Sequence, residues 1–427
     1  DGEVVWESGF GVTCRFLPDT VTADTVFEVA SNSKVISSYV ALRLVDQGKI
    51  ELDRPLNDYL AEPFLPASEY REAVTLRHVL SHSSGLGHSS PSRENLFPPG
   101  RGYSYSGIGF LYLERVLAEV TGRSLEELGR ELVFVPLEMH SSSYVNEDRE
   151  LTSRTANGHL WATVPVVLFV VFYVVALLVV GAVGFPVLRL VTGRWRPGRR
   201  VVLGALVVAF VLAMVPAFVL LGLIGLWEFV WIIALVGFGL TVAFSLLLAA
   251  GLTVVRRLFP DRRGWRVAGT AIWTVLVLVG LGILVLGVRN LPVPRWPPVR
   301  ADAASSVRAT AGDMARFLIE LSDPRWLAEE TAAELRTPQV GLNEDLSWGL
   351  GPGIQHSRQG DALWQWGQHI DFQSIMIIYP DHGFGVVVLT NSDLLNPDVA
   401  IRIAHRAIGG KIEPLRRASH LEFNYRP

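Results

Sequence analysis

The sequence predicts an α+β fold, an antiparallel sheet flanked by helices, drawn from two segments of chain and interrupted by four membrane-crossing helices. Three observations carry this. Strand-like runs gather near the carboxyl end, two of them joined by Asp381-His382-Gly383, a hairpin turn by composition. Apolar residues at helical spacing dominate the amino-terminal segment and precede those strands, which is the order of an α+β layer. Between the segments lie four uncharged runs, at 162–188, 201–226, 229–255 and 267–288, each longer than the roughly 20 apolar residues that a bilayer crossing needs.

Glu3 to Gly9 reads as a strand in want of a partner, so the natural protein is expected to extend upstream of the turn pair Asp1-Gly2. From Ser31, the positions Val35, Ile36, Tyr39, Val40, Leu42 and Leu44 follow helical spacing, with Gly48 as a stop. A second helix covers Thr75 to His82 and closes at Ser83-Ser84-Gly85-Leu86. After Phe97-Pro98-Pro99-Gly100 and Tyr103-Ser104-Tyr105-Ser106-Gly107, a third runs through Leu111, Leu113, Val116, Leu117 and Val120 to Gly122. The second segment opens on the proline-rich spacer Leu291-Pro292-Val293-Pro294-Arg295-Trp296-Pro297-Pro298. It continues as a helix from Thr310 to Leu321, then as strands at Trp348 to His356, Phe372 to Pro380 and Phe384 to Thr390. The domain divisions are therefore 1–161, 162–288 and 289–427.

Half of the 427 residues are hydrophobic, at a formal net charge of -3. That excess sits in the four runs. Arg189, Arg194, Arg196, Arg199 and Arg200 follow the first run, and Arg256, Arg257, Arg262, Arg263 and Arg266 follow the third. By the positive-inside rule the loops 189–200 and 256–266 are cytoplasmic, and an even number of crossings places both outer segments on the extracytoplasmic face of a cell membrane. Trp161, Trp227, Trp231, Trp265 and Trp296 lie near run ends, as interfacial anchors do. No run contains an ionisable residue, which argues against an ion pathway, and Gly280, Gly282 and Gly287 suit close helix packing. Topology accounts for the arginines, so nucleic-acid binding is not indicated. The single Cys14 forms no internal disulfide, and no Cys/His cluster has zinc spacing.

Ser31-Asn32-Ser33-Lys34 places a hydroxyl and an amine one helical turn apart at the start of the first helix. A serine hydroxyl is a weak nucleophile until a neighbour takes its proton, and the positive end of the helix macrodipole disfavours a second positive charge on that neighbour. The same turn presents backbone N–H groups to a developing oxyanion. Only three lysines occur, Lys34, Lys49 and Lys411, and arginine, which cannot act as a base, serves elsewhere. His78 and His82 share a helix face, but with no His-Glu-x-x-His pattern and no third ligand they read as structural.

The two outer segments together resemble the serine β-lactamase and penicillin-binding-protein-like superfamily, in its class C β-lactamase, D-alanyl-D-alanine carboxypeptidase and esterase branch. The resemblance is carried by Val29-Ala30-Ser31-Asn32-Ser33-Lys34, by Leu76-Arg77-His78-Val79-Leu80-Ser81-His82-Ser83-Ser84-Gly85-Leu86, by Tyr103-Ser104-Tyr105, by Val135-Pro136-Leu137-Glu138-Met139 and by Val386-Val387-Val388-Leu389-Thr390-Asn391-Ser392. It implies a β-lactamase/transpeptidase-like fold with a helical subdomain. It implies Ser31 as the acylated nucleophile, Lys34 as proton acceptor and Tyr105 as a second acid/base serving the leaving group. The third motif aligns with Gln365-Trp366-Gly367, and the backbone N–H groups of Ser31 and Gln368 are then the oxyanion hole. No cofactor and no metal are expected.

Two departures stand out. Gly107 occupies the position of the Tyr-x-Asn asparagine, so that substrate contact is missing or supplied elsewhere. Gln365 replaces a cation, which removes the charge-assisted part of any attraction for a substrate carboxylate and weakens affinity for penicillins or peptide C-termini. His369 lies close by and reads as an ordinary loop histidine, its alternative being a stand-in for the lost cation after a register shift. The expected function is a membrane-anchored serine acyl hydrolase acting on a peptide, amide, ester or β-lactam, its partners a small-molecule or peptide acyl substrate, with cell-wall-derived compounds among the candidates, and the lipid bilayer. The alternative is a weakly catalytic or inactive penicillin-binding or peptidoglycan-sensing receptor that signals through the helices.

Overall fold

A computed structural model of the protein describes residues 2–13, 19–89, 93–158, 300–369, 371–391 and 398–408. The chain divides into two compact units, Asp1–Trp161 with Pro294–Pro427, and Ala162–Val293, and all described residues belong to the first. The four apolar runs and the topology built on them lie outside the described residues, among which no helix is long and apolar enough to cross a membrane.

In the amino-terminal segment, strand β1 (Phe27–Glu28) leads into α1 (Asn32–Asp46), followed by α2 (Leu76–Leu80), α3 (Gly107–Thr121), α4 (Leu125–Gly129) and α5 (Arg149–Ser153). Side-chain caps start several of them. The Thr75 side chain accepts from the His78 N–H while the His78 ring accepts from the Thr75 N–H, and Ser106 accepts from the Gly109 N–H. Ser124 and Glu127 close a reciprocal box at α4, and each such cap is worth about 1 kcal/mol. His78 thus serves a helix start.

In the second segment β2 (Arg308–Ala309) pairs antiparallel with β1, Phe27 opposite Ala309, and so joins two stretches of chain distant in sequence. Helices α6 (Ala311–Ser322) and α7 (Glu329–Arg336) come next. The remaining strands, β3 (Val340–Gly341), β4 (Leu346–Trp348), β5 (Gly353–Gln355), β6 (Ala362–Gln368), β7 (Gln373–Tyr379) and β8 (Phe384–Thr390), form one antiparallel sheet in sequence order, before α8 (Val399–Ile408). Alternation divides the faces of β7. Met376 and Ile378 join Val35, Ile36 and Val40 of α1, Leu113 and Val116 of α3, and Met314 and Phe317 of α6 in one core. Ile375 and Ile377 turn the other way, into a core with Trp364 and with Ala400, Ile401 and Ala404 of α8. Each fully buried Leu, Ile or Phe of these cores contributes about 1.5–3 kcal/mol.

Two expectations need correction. Glu3 to Gly9 forms no strand; the nearest pairing is the isolated bridge of Val12 with Thr20. The run from Trp348 to His356 is two short strands folded on each other, because the chain reverses between Trp348 and Gly353, which are opposite one another in the register. The Asp381-His382-Gly383 turn does join β7 to β8, as a short 3-10 turn over Pro380–His382.

Candidate active site

Ala30 precedes the proposed nucleophile with φ at 47°, a left-handed conformation that costs a residue with a Cβ about 1 kcal/mol. The resulting tight turn sets Ser31 at the N-cap of α1. N-cap serines ordinarily spend their hydroxyl on the helix N–H groups, but Ser31 makes no side-chain cap bond. Its Oγ instead accepts a hydrogen bond from Lys34 Nζ at 3.1 Å. Lys34 is fully buried; its Nζ also donates to the Ala304 carbonyl at 2.9 Å and lies 4.8 Å from the centre of the Tyr105 ring. The turn that carries Ala304 is itself fixed. Ala303 N donates to Glu114 Oε2 of α3 at 3.0 Å, Ser37 Oγ donates to the Ala303 carbonyl at 2.9 Å, and Val307 N donates to Ser33 Oγ at 3.0 Å.

Strand β6 borders the other side of Ser31. A Cβ at position 367 would lie 2.3 Å from the Val29 carbonyl oxygen and 2.8 Å from Ser31 N, so only glycine permits this approach. Asn32 Nδ2 donates to Ser374 Oγ at 2.7 Å, and Ser374 Oγ donates to the Val29 carbonyl at 2.7 Å, which ties β7 to the same turn. Since His369 N donates to the Phe372 carbonyl, ladder alternation turns the Gln368 N–H away from β7, past the end of β5. Gln365 precedes Gly367 by two positions and shares its face. Its Nε2 donates to Tyr105 Oη at 3.0 Å and to the Trp366 carbonyl at 2.8 Å. Trp366 points to the opposite face and packs in the core with Tyr105 and Trp364.

The structure therefore brings Ser31, Lys34, Tyr105, Gln365 and Gly367 together, with Gln368 next along β6. Gly107 begins α3, and a Cβ there would lie 2.5 Å from the His88 carbonyl oxygen. His82, fully buried, accepts from Ser106 N through Nδ1 and packs against Tyr105, Phe110 and Trp348. Burial, then the charges of Lys34 and His88, hold it well below the usual histidine range, so it is a neutral support for Tyr105. Among the described residues no group of three or more His, Cys, Asp or Glu side chains could hold a metal ion.

Sequence reasoning missed the supports. His369 Nδ1 bonds Glu28 Oε2 at 2.7 Å, and Arg308 Nη2 bonds Glu28 Oε1 at 3.0 Å, in a buried cluster that ties the end of β6 to β1 and β2. Burial pushes the Glu28 carboxyl up, but His369 and Arg308 outweigh it and hold the group below its ordinary range. His369 is thus a bracing residue between Gln368 and β1. The roles of Ala304, Glu114 and Ser374 had no local signal, because each acts through a contact with residues far away in sequence.

Ser31 with the buried Lys34 one turn on at the start of a helix, a tyrosine over the lysine and strand β6 beside the serine form a candidate acyl-transfer site on an α+β fold. The family model described as Beta-lactamase matches residues 1–173 and 264–411, and the chain belongs to that family. It is 30% identical over 178 residues to penicillin-binding protein 4 of Amycolatopsis lactamdurans, covering 38% of this chain and 46% of that protein. It is 31% identical over 182 residues to esterase EstB of Burkholderia gladioli, covering 35% and 46%. The chain thus spans less than half the length of these curated relatives. Among solved structures, the octameric penicillin-binding protein homologue of Pyrococcus abyssi superposes with a TM-score of 0.57 at 15% identity, covering 97% of this chain and 72% of that one. The β-lactamase/D-alanine carboxypeptidase of Yersinia pestis gives 0.54 at 13% identity, covering 93% and 87%. At such identities these two likenesses show the fold.

Proposed function

We propose that this protein is a membrane-anchored serine acyl hydrolase that works through an acyl-enzyme on Ser31. The observation that carries the reading is the 3.1 Å contact of Lys34 Nζ with a Ser31 hydroxyl released from helix capping. Lys34 in its neutral form takes the hydroxyl proton as Oγ bonds to the substrate carbonyl carbon. The oxyanion is received by the N–H groups of Ser31 and Gln368. Tyr105 passes a proton to the departing group as its bond to carbon breaks, a role a phenol fills only beside a cation or within a relay, and Lys34 and Gln365 offer both. Water then attacks the ester, and the proton it loses returns to Ser31 Oγ.

The substrate is a neutral acyl donor, an ester ahead of a carboxylate-ended peptide or a penicillin, since Gln365 brings no charge to meet a carboxylate. Relatives named as an esterase and as penicillin-binding proteins are compatible with this chemistry. Hydrolysis of a short-chain p-nitrophenyl ester, a chromogenic cephalosporin and a peptide ending in D-Ala-D-Ala tests it. Ester turnover at least tenfold better than either of the others, lost in Ser31→Ala, is expected; preference for the peptide would refute the charge argument. A stoichiometric adduct without turnover would instead mark the receptor reading, which Gly107 and Gln365 favour.

The four apolar runs hold the two hydrolase segments at the extracytoplasmic face, where cell-wall-derived or amphiphilic acyl compounds are the natural substrates. In a Cys14→Ser background, Trp195→Cys and Asp261→Cys are expected to react with an impermeant maleimide only after the cells are permeabilised, and Glu62→Cys in intact cells. The reverse pattern would overturn this topology.

A further inference from the structure

An acid, Glu114, interrupts the apolar side of α3. It shares a helix face with Phe110 and Leu117, both buried, and is itself half-buried. Taking a carboxylate out of water is costly unless it gains a partner, and the partner here is the turn from Asp302 to Val307. Glu114 Oε2 accepts from Ala303 N at 3.0 Å. Three neutral groups hold the same turn: Ser37 Oγ donates to the Ala303 carbonyl, Ser33 Oγ accepts from Val307 N, and the Tyr144 carbonyl accepts from Ser306 Oγ. The next carbonyl along, that of Ala304, accepts from Lys34 Nζ at 2.9 Å, and the same nitrogen lies 3.1 Å from Ser31 Oγ. An amine nitrogen is tetrahedral, so the carbonyl that draws one of its N–H bonds also sets where its lone pair points. Proton transfer from Ser31 needs that lone pair on the hydroxyl, within the narrow geometry that attack demands.

We propose that Glu114 is a positioning residue for acylation: its carboxylate holds the turn from Asp302 to Val307, and the turn aims the Lys34 amine at Ser31. This rests on the serine-hydrolase reading and adds to it a control by pH, since the grip depends on charge. An ionised carboxylate accepts a hydrogen bond about twice as strong as a neutral group does. Burial raises Glu114 from 4.5 to about 7 against the pull of the Ala303 N–H, with Asp302 adding to the rise and Arg300 opposing it. The charged form therefore takes over as pH rises through neutrality, and attack by Ser31 quickens with it. Two further titratable groups border the turn. Burial pushes the Tyr144 phenol up, so it stays neutral, and Glu126, also pushed up by burial, accepts from Tyr144 N at 2.6 Å.

The test is the second-order rate of fluorophosphonate labelling between about pH 5.5 and pH 8.5 in the parent, Glu114→Gln and Glu114→Ala. The Gln amide oxygen accepts the Ala303 N–H as a neutral group at every pH. Lys34, Asp302, Arg300 and Glu126 are common to both proteins, so the ratio of parent to Gln rates isolates the charge at 114. That ratio is expected to be near one at the acid end and to rise to about fivefold at the alkaline end, with its midpoint at about 7. Glu114→Ala, which offers no acceptor, is expected to label more slowly than Glu114→Gln throughout; should it fail to fold, the Gln comparison decides alone. A ratio that stays flat or falls as pH rises, in a protein that does label, would overturn the role of Glu114. A folded parent that takes no label at any pH would overturn the serine-hydrolase reading itself, and this inference with it.

Discussion

At the scale of single residues, the site is governed by which small residues allow close approach. Gly367 lets β6 lie against Ser31 N and Val29 O, and Gly107 leaves room for the His88 backbone. Gly107→Asn, which restores the motif on paper, is expected to destabilise the protein by about 2 kcal/mol, because a Cβ 2.5 Å from a carbonyl oxygen forces backbone to move. The measurement is the urea midpoint; an unchanged midpoint with faster penicillin acylation would contradict the packing argument. The Ser31 and Lys34 pair was marked in the sequence by its spacing at a helix start together with the scarcity of lysine, and Tyr105, Gln365 and Gly367 through the resemblance. Glu28, Ala304 and Ser374 were not, since their partners lie hundreds of positions away and nothing local marks them.

At the scale of elements, two devices hold the site together. The first is the Arg308, Glu28 and His369 cluster between β1, β2 and the end of β6. Arg308→Met leaves Glu28 buried with a partner removed, and a loss of about 3 kcal/mol in unfolding free energy is expected by chemical denaturation. The second is the turn from Asp302 to Val307, which gives Lys34 its carbonyl and is held by Glu114. Burial, with Asp302 adding to it and the Ala303 N–H and Arg300 opposing, raises Glu114 from 4.5 to about 7. A carboxyl whose affinity for protons is higher in the folded state favours folding at low pH. Its contribution is whole below about pH 4.5 and is lost as pH rises through about 7. Glu114→Gln cannot ionise, so its denaturation midpoint is expected to fall less than the parent's between pH 5 and pH 8; an equal or larger fall would contradict the assignment. Helices α1 and α3 were legible because their apolar faces repeat at helical spacing over four turns. The reversal between β4 and β5 was not, because Trp348, Leu350 and Ile354 keep up an apolar pattern across the turn.

At the scale of the whole molecule, two segments separated by residues 162–293 make one folded unit, sharing a core that mixes Val35 and Leu113 with Phe317 and Met376. A protease site inserted at 193–200 is therefore expected, after cutting, to leave the two pieces associated under native conditions with Ser31 labelling unchanged; separation on gel filtration would contradict it. That helices precede a run of antiparallel strands could be read from the sequence, because it rests on local periodicity, whereas β1 pairing with β2 across the intervening chain depends on tertiary contact alone. The most direct test of the central claim is intact-protein mass after exposure to a fluorophosphonate, for the parent, Ser31→Ala and Lys34→Arg. The arrangement predicts one adduct on the parent, none on Ser31→Ala, and labelling slowed at least about 100-fold in Lys34→Arg, which keeps the charge but cannot take a proton. An unmodified parent that is otherwise folded, or equal labelling of all three, would contradict an activated Ser31.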